Sequence, residues 1–117
     1  MEAEHSPEQF LSEVLDPAET VHVKAKASDA VLAVTNRRLV VVAPPRPALA
    51  VPFEGLRRIQ FDIERTRPAT LVIVPDAARD EPQVLAIPPS EYRAVGDALV
   101  ALGLALAALE SASSEDL

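Results

Sequence analysis

The feature that most constrains the fold is a two-residue alternation of apolar and polar side chains that recurs between residues 19 and 87. Such alternation is typical of a β-strand with one face on a core and the other in water. Residues 21–25 and 59–63 are the clearest examples. The gaps between these segments are too short for a helical crossover, so neighbouring segments are expected to pair as antiparallel hairpins. The sequence therefore predicts a mainly β meander.

Seven strands are predicted, each bounded by turn-forming residues. The third is expected to be buried on both faces because it carries the β-branched run Val40-Val41-Val42. Prolines at positions 44, 45, 47, 88 and 89 interrupt the pattern, since proline has no amide hydrogen to donate to a ladder. The predicted strands cover residues 19–26, 31–35, 38–43, 49–53, 58–64, 71–74 and 84–87.

A helix is predicted at each end of the strand region. The first spans residues 7–15, with Ser6 as N-cap and Gln9 completing a capping box, and it ends before Pro17. The second is capped by Ser90 and runs to about Glu110. Its inward stripe is predicted from apolar residues three and four apart: Tyr92, Val95, Leu99, Leu102, Leu106 and Leu109. Residues 1–6 are expected to be a flexible N-terminus and 111–117 a disordered acidic tail, which leaves 7–110 as one domain.

Composition excludes several classes of protein. A chain of 117 residues fits a single domain. Without cysteine there is no disulfide, no thiolate nucleophile and no sulfur ligand for zinc. The N-terminus is acidic, unlike a secretory signal, so a cytoplasmic location is expected. The longest apolar run, residues 98–109, is shorter than the roughly 20 residues that span a bilayer.

No motif points to catalysis or to a bound cofactor. His5 and His22 lack further ligands at metal-binding spacing, and no serine lies in a Gly-x-Ser-x-Gly turn. Three glycines cannot build a phosphate-binding glycine loop. Pro44 and Pro47 have a Pro-x-x-Pro spacing, which is more typical of a rigid loop than of a ligand for another domain. The sequence predicts no catalytic residue, no metal and no cofactor.

Two short stretches resemble bacterial pleckstrin-homology (PH) domain families. They are Leu-Asp-Pro-Ala-Glu at 15–19 and Val-Thr-Asn-Arg-Arg-Leu-Val-Val-Val at 34–42. In those families a strand ending in threonine, a polar turn and an Arg-Leu pair opening the next strand recur. The resemblance implies a PH-like fold: a seven-stranded, bent antiparallel barrel of two nearly orthogonal sheets, with a long C-terminal capping helix and a short N-terminal helix.

The resemblance also implies a non-enzymatic binding or scaffolding module. Members of this superfold bind phosphoinositides, peptides or proteins, and some bacterial members assemble with themselves; function inferred from fold is analogy. Arg38 lies within the resembling stretch. A structural role for it, fixing the hairpin through a carboxylate or carbonyl, is favoured over ligand binding.

Charge suggests a second kind of partner. Residues 20–75 carry nine basic and four acidic side chains, a net charge of +5, whereas the whole chain carries −7. Either the acidic flanks neutralise the strands, or the strands attract an anionic partner. The candidate binding residues are Lys24, Lys26, Arg37, Arg57 and Arg58. They depart from the phosphoinositide signature of PH domains, and nucleic acid is disfavoured because the few aromatic residues are assigned to the core.

The C-terminal helix suggests self-association. No charge occurs from residue 98 to 109, so the helix is apolar on all sides, which usually means burial on more than one side. A competing explanation is that alanine is a good helix former and that the N-terminal helix covers part of this surface through Phe10 and Val14. The predicted self-association residues are Gly96, Val100, Gly103, Leu104 and Ala107.

Three functions therefore remain open on the sequence. The first is a PH-like module for protein interaction, including self-association. The second is weak binding of anionic lipid headgroups by the basic strands. The third is a small acidic inhibitor or immunity-type protein, supported by its size and acidic flanks.

Overall fold

The chain forms two antiparallel sheets and two helices in a computed structural model that describes residues 7–46 and 48–115. Ser6, Pro47 and the predicted flexible N-terminus lie outside the described residues. The elements in chain order are α1 (Pro7–Val14), β1 (Val21–Lys26), β2 (Val31–Thr35), β3 (Arg38–Val42), β4 (Leu49–Pro52), β5 (Leu56–Asp62), β6 (Ala69–Pro75), β7 (Gln83–Ile87) and α2 (Tyr92–Glu115).

All seven predicted strands are present and pair with their sequence neighbours. One sheet has the order β1-β2-β3-β4 and the other β5-β6-β7, and every pairing is antiparallel. The meander and the two-sheet architecture are confirmed. Between the described strands the ladder does not continue from β4 to β5, so the sheets do not form one closed barrel. They are joined near β1 and β7, where the Ser28 amide donates to the Ala86 carbonyl at 2.9 Å.

The main core lies between the two sheets and the inner face of α2. Both sheets contribute alternate residues, as period-two burial requires. The largest fully buried apolar side chains of this core are Leu32, Val34, Leu39, Val41, Leu71, Ile73, Leu85, Ile87, Val95 and Leu102.

A second apolar cluster lies on the outer face of the four-stranded sheet, beneath α1. Leu11 of α1 is buried there against Val31 and Val40. Because β2 and β3 carry apolar residues on both faces, the outer face also needs a cover, and the apolar stripe of α1 supplies it. The competing explanation that the N-terminal helix covers part of α2 through Phe10 and Val14 is therefore not supported: both pack in this cluster instead.

The C-terminal helix differs from its prediction at both ends. A 3₁₀ turn, Pro89–Glu91, precedes it, so Ser90 lies within that turn and α2 begins at Tyr92. The helix continues to Glu115 rather than stopping near Glu110, because residues 111–115 contain no glycine or proline to end it. Leu109, predicted to face inward, is 40% exposed, since the last turns extend past the core.

Strand β5 ends at Asp62, two residues earlier than predicted. Ile59 and Phe61 pack against the core, and the Phe61 ring meets Tyr92 edge-on with centroids 5.7 Å apart. Ile63 lies beyond the end of β5 and is 59% exposed, so its predicted place on the inner face is wrong. The alternation of the sequence continued where the strand pairing had already stopped.

Candidate functional site

The residues that carry the family resemblance include a buried, hydrogen-bonded ion pair between Glu19 and Arg38. Arg38 Nε donates to Glu19 Oε2 at 2.8 Å, and Arg38 Nη2 donates to Glu19 Oε1 at 2.9 Å. The Glu19 side chain is fully buried and that of Arg38 is three-quarters buried. The Arg38 guanidinium lowers the pKa of Glu19 to about 2, helped by the Thr35 hydroxyl and the Asp16 amide and opposed by burial.

Thr35 connects this ion pair to the turn between β2 and β3. Its hydroxyl donates to Glu19 Oε2 at 2.6 Å and accepts from the amides of Arg37 and Arg38 at 3.0 and 3.1 Å. Arg38 also donates to the Val14 carbonyl at 3.2 Å. The network thereby links the end of α1, the segment after it and the β2–β3 hairpin. The structural role expected for Arg38 is confirmed, and its partner Glu19 is a residue that the sequence analysis did not single out.

The predicted basic residues do not come together as one site. Lys24 and Lys26 on β1 both lie near Glu8 of α1, with Nζ to Oε2 distances of 3.6 and 3.3 Å. These lysines lower the pKa of Glu8, chiefly through a hydrogen bond from Lys26. Arg37 Nη1 donates to Asp16 Oδ2 at 2.9 Å. Acidic residues of α1 and of the segment that follows it thus offset the charge of the first sheet.

Arg57 and Arg58 lie apart from those pairs, at the start of β5 in the second sheet. A register irregularity between Leu56 and Arg58 interrupts the alternation, which leaves two consecutive arginines exposed. With Val74 they line an open cavity of about 350 Å³. Within the described residues neither arginine has an acidic partner in an ion pair.

A surface cavity of about 550 Å³ lies between the β5–β6 loop and the start of α2. Arg65, Arg67, Ser28 and Tyr92 are among its lining residues. Arg67 is within 3.6 Å of Glu64 of the same loop, and the loop is exposed. Over residues 7–46 and 48–115, no group of three or more histidine, cysteine or acidic side chains could hold a metal ion.

The predicted self-association residues lie together on the outer side of α2. Val100 is 63% exposed and Leu104 is 68% exposed, which is unusual for large apolar side chains on one helix face. Gly103 and Ala107 are also exposed. A Cβ built at Gly96 or Gly103 would meet nothing within 4 Å, so the backbone of α2 is open to close approach there.

By length and composition, Pro89–Ser111 could cross a membrane, with a mean hydropathy of 1.6. This stretch extends past the twelve-residue apolar run at both ends and includes Glu91, Arg93, Asp97 and Glu110, so the length of the uncharged run alone was too narrow a criterion. Core helices of soluble proteins meet the same criterion. In this fold Val95, Ala98 and Leu102 of that helix are buried in the core of the domain.

The architecture is similar to that of a solved PH domain. The crystal structure of a pleckstrin homology domain from Shewanella amazonensis matches with a TM-score of 0.59 and 17% sequence identity, over 83% of this chain and 93% of that one. At this identity the likeness shows the fold alone, which is PH-like. No protein-family model matches the chain, and the search of curated proteins found no match.

Proposed function

We propose that this chain is a non-enzymatic binding module, related to bacterial PH domains, that associates with a second copy of itself through the outer face of α2. A PH-like fold is typically non-catalytic and typically mediates binding to proteins or lipids. The fold therefore supports the general class of function. The choice of partner rests on the surface of α2.

The observation that carries the proposal is the exposed apolar surface formed by Gly96, Val100, Gly103, Leu104 and Ala107, which we call the outer patch. A monomer would normally place charged or polar side chains on the water-facing side of such a helix. Here no charged residue occurs between positions 98 and 109. Covering this patch removes apolar surface from water, which is the main driving force for protein association.

A second copy is a suitable occupant because the outer patch carries no charge of its own. Each chain has a net charge of −7, so two copies repel unless they meet where acidic side chains are sparse. The outer patch is such a place. Its small residues also allow two helices to approach closely, which favours van der Waals contact.

The test is light scattering after size exclusion at about 100 µM protein, where weak interfaces are populated. We expect a mass approaching twice the monomer's 12.5 kDa, and a return to monomer in Val100→Glu and Leu104→Glu. Val84→Glu is the matched control, because Val84 is 64% exposed, like Val100, but lies on β7. A wild-type monomer at this concentration contradicts the proposal, as does a dimer disrupted only by Val84→Glu.

Binding of anionic lipid headgroups is the alternative that keeps some support, from Arg57 and Arg58. Against it, Lys24 and Lys26 share an acidic partner in Glu8, and Arg37 has one in Asp16. An overall charge of −7 also opposes approach to an anionic surface. Self-association is therefore preferred over lipid binding.

An acidic inhibitor or immunity-type role has less support than it had from the sequence. That hypothesis needed the acidic flanks to be free for a basic partner. Glu8, Asp16 and Glu19 instead make ion pairs with basic side chains of the first sheet. Capture of a basic partner would have to rely on acidic residues elsewhere in the chain.

A further inference from the structure

A line of six residues along α2 has the spacing of a helix-pairing seam. Their positions follow one another at intervals of three, four, three, four and three, which keeps them on one side of an α-helix. We call this line the seam. Its members are Arg93, Gly96, Val100, Gly103, Ala107 and Glu110.

The seam is accessible along its whole length. Gly96 is half-buried with open space at its Cβ position, and the other five members are exposed. Arg93 and Glu110 stand at its two ends, and within the described residues neither makes an ion pair. One end of an otherwise uncharged line is therefore positive and the other is negative.

Resting on the proposed function, we infer that two copies pair antiparallel along this seam, with Arg93 of one copy opposite the partner's Glu110. In that register Gly96 lies opposite the partner's Ala107, and Val100 lies opposite the partner's Gly103. The two-fold axis passes between positions 101 and 102, so each contact occurs twice. Both charged ends are then matched with opposite charges.

Packing and charge both favour this arrangement over a parallel one. In the antiparallel register each apolar contact pairs a glycine with a larger residue. Gly96 meets the partner's Ala107, and the Val100 side chain fills the space above the partner's Gly103. A parallel pair would place Val100 against Val100 and Gly103 against Gly103, leaving the layers unevenly filled. It would also place Arg93 against Arg93 and Glu110 against Glu110, and like charges repel.

Leu104 adds apolar contact beside the seam. Leu104 lies one position after Gly103 and is 68% exposed, so the two Leu104 side chains of the pair would approach each other across the axis. From the rise of an α-helix they would be about 7–8 Å apart along it. One partner helix would therefore cover both Val100 and Leu104, which are exposed in the single chain.

Cysteine cross-linking tests the register directly, because the chain contains no cysteine. We choose Gly96→Cys and Ala107→Cys, mixed in equal amounts and oxidised at about 100 µM. In the antiparallel register these two thiols face each other, whereas 96 and its own copy lie about 16 Å apart along the axis, beyond the reach of a disulfide. Gly96 tolerates a side chain because nothing lies within 4 Å of its Cβ position.

Mass spectrometry of the cross-linked product separates the outcomes. We expect the mixed Gly96→Cys with Ala107→Cys disulfide, with little product when either variant is oxidised alone. Self-cross-linking of each variant alone overturns the antiparallel register and indicates a parallel pair, while leaving self-association intact. If no variant combination forms a cross-link and the wild-type protein is monomeric, both the register and the proposed function are overturned; if no cross-link forms but the wild type is dimeric, only the register is overturned.

Charge reversal provides a second, independent measurement. Arg93→Glu or Glu110→Arg alone should raise the dissociation constant of the dimer by about 3- to 30-fold, because each removes two exposed ion pairs. The double variant should restore it. Arg58→Glu is the net-charge control for Arg93→Glu, because it makes the same change in charge outside the seam. A dimer that is equally tight in all four variants contradicts the register but not the self-association.

Discussion

Glu19 is the residue on which most of the local architecture depends. Its fully buried carboxylate accepts hydrogen bonds from Arg38, from the Thr35 hydroxyl and, more weakly, from the Asp16 amide at 3.2 Å. A buried carboxylate is costly unless its oxygens are satisfied, and here they are. The same contacts hold α1 at a fixed place relative to the β2–β3 hairpin, so Glu19, Thr35 and Arg38 of the stretches that resemble the PH families stabilise the fold.

Glu19→Gln is predicted to lower the free energy of unfolding at neutral pH by about 1–3 kcal/mol, because it removes one charged partner of a buried hydrogen-bonded pair. Urea unfolding followed by circular dichroism measures this change. The matched control is Glu64→Gln, whose carboxylate lies 3.6 Å from Arg67 at an exposed site. The control should change stability by less than about 0.5 kcal/mol.

The same pair predicts a pH dependence. The folded state holds the pKa of Glu19 at about 2, against an ordinary value of 4.5, so the folded state favours the charged form. The resulting stabilisation is fully present above about pH 4.5 and is lost as the pH falls through 2. Wild type should therefore lose more stability over that interval than Glu19→Gln does. Parallel pH profiles of the two proteins would contradict the role assigned to Glu19.

At the scale of elements, β5 shows where sequence alternation and strand pairing separate. The inner face of β5 packs through Ile59 and Phe61 towards the core and α2. Ile63 continues the alternation but is no longer held by β6, whose last partner on this strand is Asp62. The hydrophobic pattern alone cannot distinguish these positions, because it does not record where the neighbouring strand begins.

Phe61→Ala is predicted to cost about 2–3 kcal/mol, below the range for a fully buried phenylalanine because Phe61 is half-buried. Ile63→Ala should cost less than about 0.5 kcal/mol, since most of that side chain is already in water. Urea unfolding of both variants provides the comparison. Equal losses, or a larger loss at Ile63, would mean that the face of β5 is assigned wrongly.

Helix α1 acts as a cover for the four-stranded sheet and as a source of counter-charge. Its apolar side buries Leu11 over β2 and β3, while Glu8 lies near Lys24 and Lys26. The two roles come from different sides of one eight-residue helix. This position also leaves the outer face of α2 uncovered, which makes that face available for a partner.

At the scale of the whole molecule, the acidic N-terminal segment offsets the basic first sheet. Surface ion pairs such as those of Glu8 contribute little to stability, but they reduce the positive potential of β1. The molecule as a whole stays at −7. This charge distribution is consistent with the proposed self-association through an uncharged surface, and it predicts weak affinity for anionic membranes.

Vesicle flotation measures how strongly the protein binds an anionic membrane. We expect little wild-type protein to float with vesicles containing about 30% anionic lipid at low salt. Glu8→Gln should increase binding, because it frees Lys24 and Lys26 from their acidic partner. Glu81→Gln makes the same change in net charge at another exposed position and serves as the control. Equal binding by both variants would show that Glu8 does not mask the lysines.

The sequence by itself determined the strand count, the antiparallel meander and the two terminal helices. These features depend on local periodicity and on proline positions, which are properties of short segments. The apolar residues of the outer patch were also predictable, since charge is absent from residues 98–109. A structural role for Arg38 followed from its position beside a tight turn.

Only the tertiary structure decided which segments cover which faces. It placed α1 on the four-stranded sheet rather than on α2, and it brought Glu19 to Arg38 across nineteen positions of the chain. It also separated Arg57 and Arg58 from the basic residues of the first sheet. Periodicity states that a face is apolar or charged, but not what it meets, because contacts between distant segments depend on how all the elements pack together.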